Sequence, residues 1–271
     1  MEIVEVLKYL LVGLVQGICE VLPISSSAHL MIVQALLGIG EEGLSFEVFL
    51  HLASLIAVLF YLRKKLIKLV KGFFCFIFNK EKREENRNNF NYCIYIVIST
   101  IPAVVAALVL DDLVAIDSLL IVGILLIVNA VMLYFISKFN KGTKHVSDLK
   151  WYNALIIGLF QVAGIVPGIS RSGSCLMGTA SQKLDKEEAA DYAFILFIPA
   201  VLGAFVLDLD GISTILSSSY LLAYLGSFII AGISTYFAFT LLIKIIRKGK
   251  IIYFSIYCLI VGAAVIISQL L

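Results

Sequence analysis

The sequence predicts an all-α integral membrane protein, with six transmembrane helices and two re-entrant helix–loop–helix segments arranged as an inverted repeat. Three observations predict it. The 271 residues are 61% hydrophobic and 15% charged, whereas a soluble domain is about half apolar and a quarter charged. Lys and Arg gather in three segments that alternate with acidic ones. Two polar, Gly- and Pro-containing motifs recur about half a chain apart.

A bilayer core needs about 20 apolar residues per helix. Stretch 3–37 is apolar but interrupted by polar sequence, so it reads as a broken segment. Spans follow at 46–62, 92–110 and 119–137. A second broken segment occupies 151–182, and further spans lie at 189–207, 220–243 and 251–270. Segment 66–78 is apolar but carries Lys68 and Lys71, and reads as a helix lying on the membrane face. The first residues, with Glu2 and Glu5 ahead of Lys8, do not read as a cleavable signal. One membrane domain, 1–271, accounts for the whole length.

Charge sets the orientation. Segments 63–91, 138–150 and 244–250 hold seventeen of the twenty-one Lys and Arg residues. Segment 111–118 has Asp111, Asp112 and Asp117, and segment 208–219 has Asp208 and Asp210, with no basic residue in either. The positive-inside rule places the basic loops in the cytoplasm and the acidic ones outside. The small net charge of +2 gives no basis for a nucleic-acid partner. Membrane lipid is the expected surrounding, with a homodimer open as the assembly.

The broken segments resemble each other. GLVQGICEVLPISSSAHLM (13–31) and GLFQVAGIVPGISRSGSCLM (158–177) match at an offset of 145: Gly13 with Gly158, Gln16 with Gln161, Ser25 with Ser170, Ser27 with Ser172. The halves, 1–145 and 146–271, each hold one broken segment and three spans. Three is odd, so the second half is expected to be inverted. Each broken segment then enters and leaves on one face, and the tips meet near the midplane. Irregular backbone at that depth must be buried in protein or line a wet cavity.

Glu20 is the only acidic residue between Glu5 and Glu41, and Arg171 the only basic one between Lys150 and Lys183. An ionisable residue at membrane depth marks function, because burying it alone is costly. Ser25, Ser26 and Ser27 follow Pro23; Ser170 and Ser172 flank Arg171 and precede Gly173. A serine after a loop caps the next helix, and a helix N-terminus presents N–H groups to an anion. Two such termini with an Arg between them make a phosphate cradle. Gln16 and Glu20 are one turn apart and share a helix face, which suits a hard cation such as Mg²⁺ or Ca²⁺. His29 lies three residues past Ser26, the spacing for a base or acid beside a hydroxyl nucleophile. His51 reads as lining the cavity without touching the chemistry, and His145 as solvated. The five cysteines, Cys19, Cys75, Cys93, Cys175 and Cys258, have no metal-like spacing and read as free thiols.

QGICEVLPISSSAHL, together with PGISRSG and FEVFLHLASLIAVLFYLR, resembles the undecaprenyl-diphosphatase family of the bacitracin-resistance type, and the resemblance runs over nearly the whole chain. It implies removal of one phosphate from undecaprenyl pyrophosphate at the outer face of the cytoplasmic membrane, with a divalent cation. That recycles the carrier lipid for peptidoglycan synthesis and confers bacitracin resistance. The family's Glu/Gln–x3–Glu pattern falls on Gln16 and Glu20, its serines and histidine on Ser25, Ser26, Ser27 and His29, and its second motif on Gly168, Ser170, Arg171, Ser172 and Gly173. Gln16 stands where many members carry Glu, leaving Glu20 as the motif's only carboxylate. The nucleophile is expected to be Ser26, with direct attack by water as the competing route. A transporter or flippase of lipid phosphates is the alternative that inverted repeats allow.

Overall fold

A chain this apolar must satisfy its backbone hydrogen bonds internally, and helices do so within each segment. The computed structural model describes residues 3–39, 43–109, 118–139 and 142–270. The acidic segment with Asp111, Asp112 and Asp117 lies outside the described residues. Among the described residues there are eleven α-helices: α1 (Ile3–Val21), α2 (Ser26–Leu37), α3 (Gly43–Phe78), α4 (Arg83–Val109), α5 (Leu119–Phe139), α6 (Trp151–Ala163), α7 (Arg171–Ser181), α8 (Lys186–Leu207), α9 (Leu209–Ser217), α10 (Leu221–Arg247) and α11 (Ile252–Leu270). Six of them, α3, α4, α5, α8, α10 and α11, are long and apolar enough to cross a membrane. They coincide with the six predicted spans.

Two predicted boundaries differ. The stretch expected as a separate surface helix over 66–78 continues α3 without a break. Arg63, Lys64 and Lys65 are good helix formers, and charge alone does not end a helix. At 36 residues and 1.5 Å per residue, α3 is about 54 Å long, against about 30 Å of hydrocarbon. Its far end pairs with α4 through Phe90, whose ring stacks on Phe73 at 5.3 Å and on Phe76 at 4.2 Å. The acidic stretch expected as loop after α8 forms the short helix α9.

The burial pattern is that of a protein dissolved in lipid. Large apolar side chains such as Phe60, Val104, Leu222 and Phe237 face outward, while Gln16, Gln34, Asn129, Gln161 and Thr235 are buried. A soluble protein sorts these types the other way.

The packing follows the 145-residue offset. Gly13 of α1 lies on the backbone of Ser227 in α10, and Gly158 of α6 on the backbone of Ser99 in α4; neither contact leaves room for a Cβ. Ser227 donates its hydroxyl to the Tyr9 carbonyl at 2.6 Å, and Ser99 donates to the Ala154 carbonyl at 2.6 Å. Tyr9 and Ala154 are again 145 apart. α5 and α11 cross at Gly123 and Gly262, each beside the other's carbonyl. Both broken segments are helix–loop–helix units, α1–α2 and α6–α7, and their loops touch.

Candidate active site

Each loop ends in a serine that caps the next helix. Ser25 caps α2 and accepts from the Ala28 N–H at 3.4 Å; Ser170 caps α7 and accepts from the Gly173 N–H at 3.1 Å. In both, the capping hydroxyl also meets the serine two residues on, Ser25 with Ser27 at 3.2 Å and Ser170 with Ser172 at 3.0 Å. The loops join directly through the Gly168 N–H to Ser27 Oγ, 3.5 Å, and Ser172 Oγ to the Leu22 carbonyl, 3.3 Å. Gly168 has φ of +99°, a value open to glycine and strained for other residues. Ser25 holds φ of +71° without being glycine, the kind of local strain that clusters at functional sites.

Glu20 is buried at the end of α1. Its Oε2 accepts from Gln16 Nε2 at 2.7 Å and from His51 Nε2 at 2.9 Å. The Ser26 hydroxyl and the Arg171 guanidinium face the same carboxylate. Glu20, Arg171 and Ser172 line one cavity with Val21 and Cys175, and its far wall is Ala193, Phe194 and Phe197 of α8. Arg171 Cζ lies 5.7 Å from the Phe197 ring centre. Its Nη1 is buried with no hydrogen-bond partner. A buried guanidinium N–H left open beside a carboxylate is costly for the fold and is an anion-binding donor in waiting.

The predicted residues from the two motifs thus converge, with one rearrangement. His29 and Ser26 make no hydrogen bond with each other among the described residues. His29 Nδ1 is 2.8 Å from the Ser25 carbonyl and Nε2 is 2.9 Å from the Tyr257 hydroxyl, with the two rings stacked at 5.5 Å. A carbonyl only accepts, so Nδ1 donates, and in the neutral ring Nε2 accepts from Tyr257. Ser26 faces Glu20 instead. His51, expected at the cavity wall, bonds Glu20 directly. His145, expected to be solvated only, pairs with Glu188 at 2.7 Å. Glu188 favours the imidazolium and raises the His145 pKa above its ordinary value.

Three contributors escaped the sequence reading. Asn129 of α5 touches both loops. Tyr257 of α11 holds His29. Glu47, one turn before His51 on α3, faces that imidazole. A lone amide inside the apolar run LLIVGILLIVNAVML was a signal for Asn129, and the one-turn spacing Glu47–His51 was a weaker one. Nothing local marks Tyr257.

The donors suit a divalent cation only as a shared guest. Among the described residues, no group of three or more His, Cys, Asp or Glu side chains could hold a metal ion. Gln16 Oε1 is buried without a partner, on the amide whose Nε2 donates to Glu20. One carboxylate and one orphaned amide oxygen match a cation that keeps waters and shares phosphate oxygens, as Mg²⁺ does.

Comparison with known proteins gives a consistent picture. The family described as "Bacitracin resistance protein BacA" matches residues 9–264. The chain is similar to the "Undecaprenyl-diphosphatase" of Oceanobacillus iheyensis, 38% identical over 267 residues, covering 97% of this chain and 96% of the relative. It is also similar to the "Undecaprenyl-diphosphatase 1" of Shouchella clausii, 36% identical over 270 residues with 98% and 97% covered. The "Undecaprenyl-diphosphatase 1" of Bacillus cereus is 39% identical over 265 residues with 97% of each covered.

Proposed function

This chain belongs to the bacitracin resistance protein BacA family, and we propose that it hydrolyses undecaprenyl pyrophosphate to undecaprenyl phosphate and inorganic phosphate. The observation that carries the reading is the open, buried Nη1 of Arg171, in the cavity it shares with Glu20. Two serine-capped helix N-termini converge beside it, and such termini favour phosphate.

Phosphoryl transfer is catalysed by positioning and charge stabilisation. Arg171 and the N-termini of α2 and α7 hold the diphosphate. Ser26 Oγ attacks the terminal phosphorus and passes its proton to Glu20. The bond from that phosphorus to the bridging oxygen breaks, and undecaprenyl phosphate leaves. Water then cleaves the seryl phosphate, releasing inorganic phosphate and restoring the hydroxyl. Direct attack by water oriented on Glu20 gives the same products. His29, fixed between Ser25 and Tyr257, holds the strained start of α2 in place. Gln16 and Glu20 would hold Mg²⁺ or Ca²⁺, which when bound neutralises charge on the diphosphate.

The basic loops, read as cytoplasmic by the positive-inside rule, support a reaction at the outer face of the cytoplasmic membrane, with both broken segments re-entrant in this reading. Recycling the carrier lipid there serves cell-wall synthesis and lowers the amount of pyrophosphate form available to bacitracin. The contacts repeated at the 145-residue offset favour a second reading, transport of lipid phosphates. Phosphate release by purified, detergent-solubilised protein from a C15 or C55 prenyl pyrophosphate, with and without EDTA, separates the two. Release that EDTA abolishes is expected; no release with any added cation favours transport.

A further inference from the structure

We propose that Asn129 is the positioning residue that sets the register of the two phosphate-binding loops. Its side chain is fully buried in α5 and bonds to one backbone group of each loop. Nδ2 donates to the Pro23 carbonyl at 3.0 Å, and Oδ1 accepts from the Ser170 N–H at 3.1 Å. The partners fix the amide's orientation, because a carbonyl only accepts and a backbone N–H only donates. Pro23 lies two residues before the strained Ser25, and Ser170 immediately before Arg171. One planar amide therefore ties the turn that presents Ser26 to the turn that presents Arg171.

The direct links between the loops are longer, at 3.5 Å and 3.3 Å, so they hold less firmly than the two through Asn129. The residue also anchors the pair to the outer bundle: Nδ2 lies 3.5 Å from Cys258 Sγ, next to the Tyr257 that holds His29. Other side chains fail by chemistry. A leucine of similar size offers neither group, an aspartate has no donor, and a serine is too short to reach both. Asn129 touches no reacting atom; it acts through the backbone under Ser26 and Arg171.

The proposal rests on the phosphatase reading, and the experiment separates the two. Wild type, Asn129→Leu and Asn129→Asp are purified in detergent. Thermal melting and initial rates are measured with farnesyl and undecaprenyl pyrophosphate. Shifting one loop by the order of 1 Å costs about 100-fold in turnover. Folded Asn129→Leu should therefore lose about 10- to 100-fold in kcat, equally on both chain lengths, with KM changed less than about threefold. Asn129→Asp, which keeps the acceptor, should also fall. Added to Arg171→Ala, Asn129→Leu should cost little more, because residues acting as a unit are not additive. Wild-type kcat in folded Asn129→Leu, or a fully multiplicative double variant, overturns the proposal while leaving the phosphatase intact. Failure of both single variants to fold assigns Asn129 to stability alone and overturns it too. An inactive wild type removes the reading beneath it.

Discussion

His51 donates Nε2–H to the Glu20 carboxylate across 2.9 Å, fastening α3 to the end of α1. The same oxygen takes the Gln16 amide at 2.7 Å, so Oε2 accepts from two donors, and Ser26 and Arg171 act on the same carboxylate. Glu20→Gln keeps the shape and removes the charge and the proton acceptor. It should lower kcat by about 10²–10⁴, the range for losing a positioned acid or base. His51→Gln should cost about 10–100-fold, as for a group that orients another. Rates at saturating Mg²⁺ check both; near-normal turnover of Glu20→Gln would move the catalytic role elsewhere.

Arg171 sits at the start of α7 with one N–H left open. Lysine carries the charge but not the planar fork. Arg171→Lys should lose about 10²–10³ in kcat/KM, comparable to removing one preorganised oxyanion donor. Wild-type rates in this variant would sink the cradle.

Ser26 and His29 are separated in partners, which makes the nucleophile testable. Quenching the reaction with a substrate labelled in its terminal phosphate should trap label on wild type and none on Ser26→Ala. Water attack predicts no trapped label in either, and a Ser26→Ala enzyme that retains turnover.

The glycine contacts predict a pattern in stability. A Cβ on Gly13 would lie 2.7 Å from the Ser227 Cα, and one on Gly158 2.9 Å from the Ser99 Cα, both rigid backbone. Gly13→Ala and Gly158→Ala should each destabilise by about 1–3 kcal/mol through overpacking. Gly203→Ala meets nothing within 4 Å and should be neutral or stabilising by up to about 1 kcal/mol. Thermal melting in one detergent ranks the three.

The loop between α5 and α6 carries a pH-dependent tie. His145 pairs with Glu188 at 2.7 Å, which raises its pKa. A raised histidine pKa contributes stability that is complete below the ordinary value of about 6.5 and disappears as pH rises through the raised value. His145→Ala should lower the melting temperature at acid pH and leave it unchanged at alkaline pH. The pair is exposed, so the effect should be small and should fade with salt. A loss that does not vary with pH would exclude the charge pairing.

Much of the site was legible because lipid penalises waste. A carboxylate and a guanidinium in apolar segments must have a purpose, and Glu20 and Arg171 stand out for that reason. The repeat supplied the rest, since Ser25 and Ser170 cap their helices in matching fashion. The Ser26–His29 pairing was misread because spacing on a helix says which face a residue is on, not which neighbour waits there. Tyr257 reaches His29 from 228 residues away, and no local pattern encodes that.

The sequence alone determined the six long spans, the membrane class and the two polar motifs that supply the candidate site. Those depend on hydrophobic length, charge at helix ends and local capping, all of which are written in consecutive residues. The tertiary structure decided which atoms meet. It turned Ser26 toward Glu20, brought His51 onto the carboxylate and set Asn129 between the loops. These choices follow from how α3, α5 and α11 pack around the broken segments, and packing is a property of side chains distant in the chain.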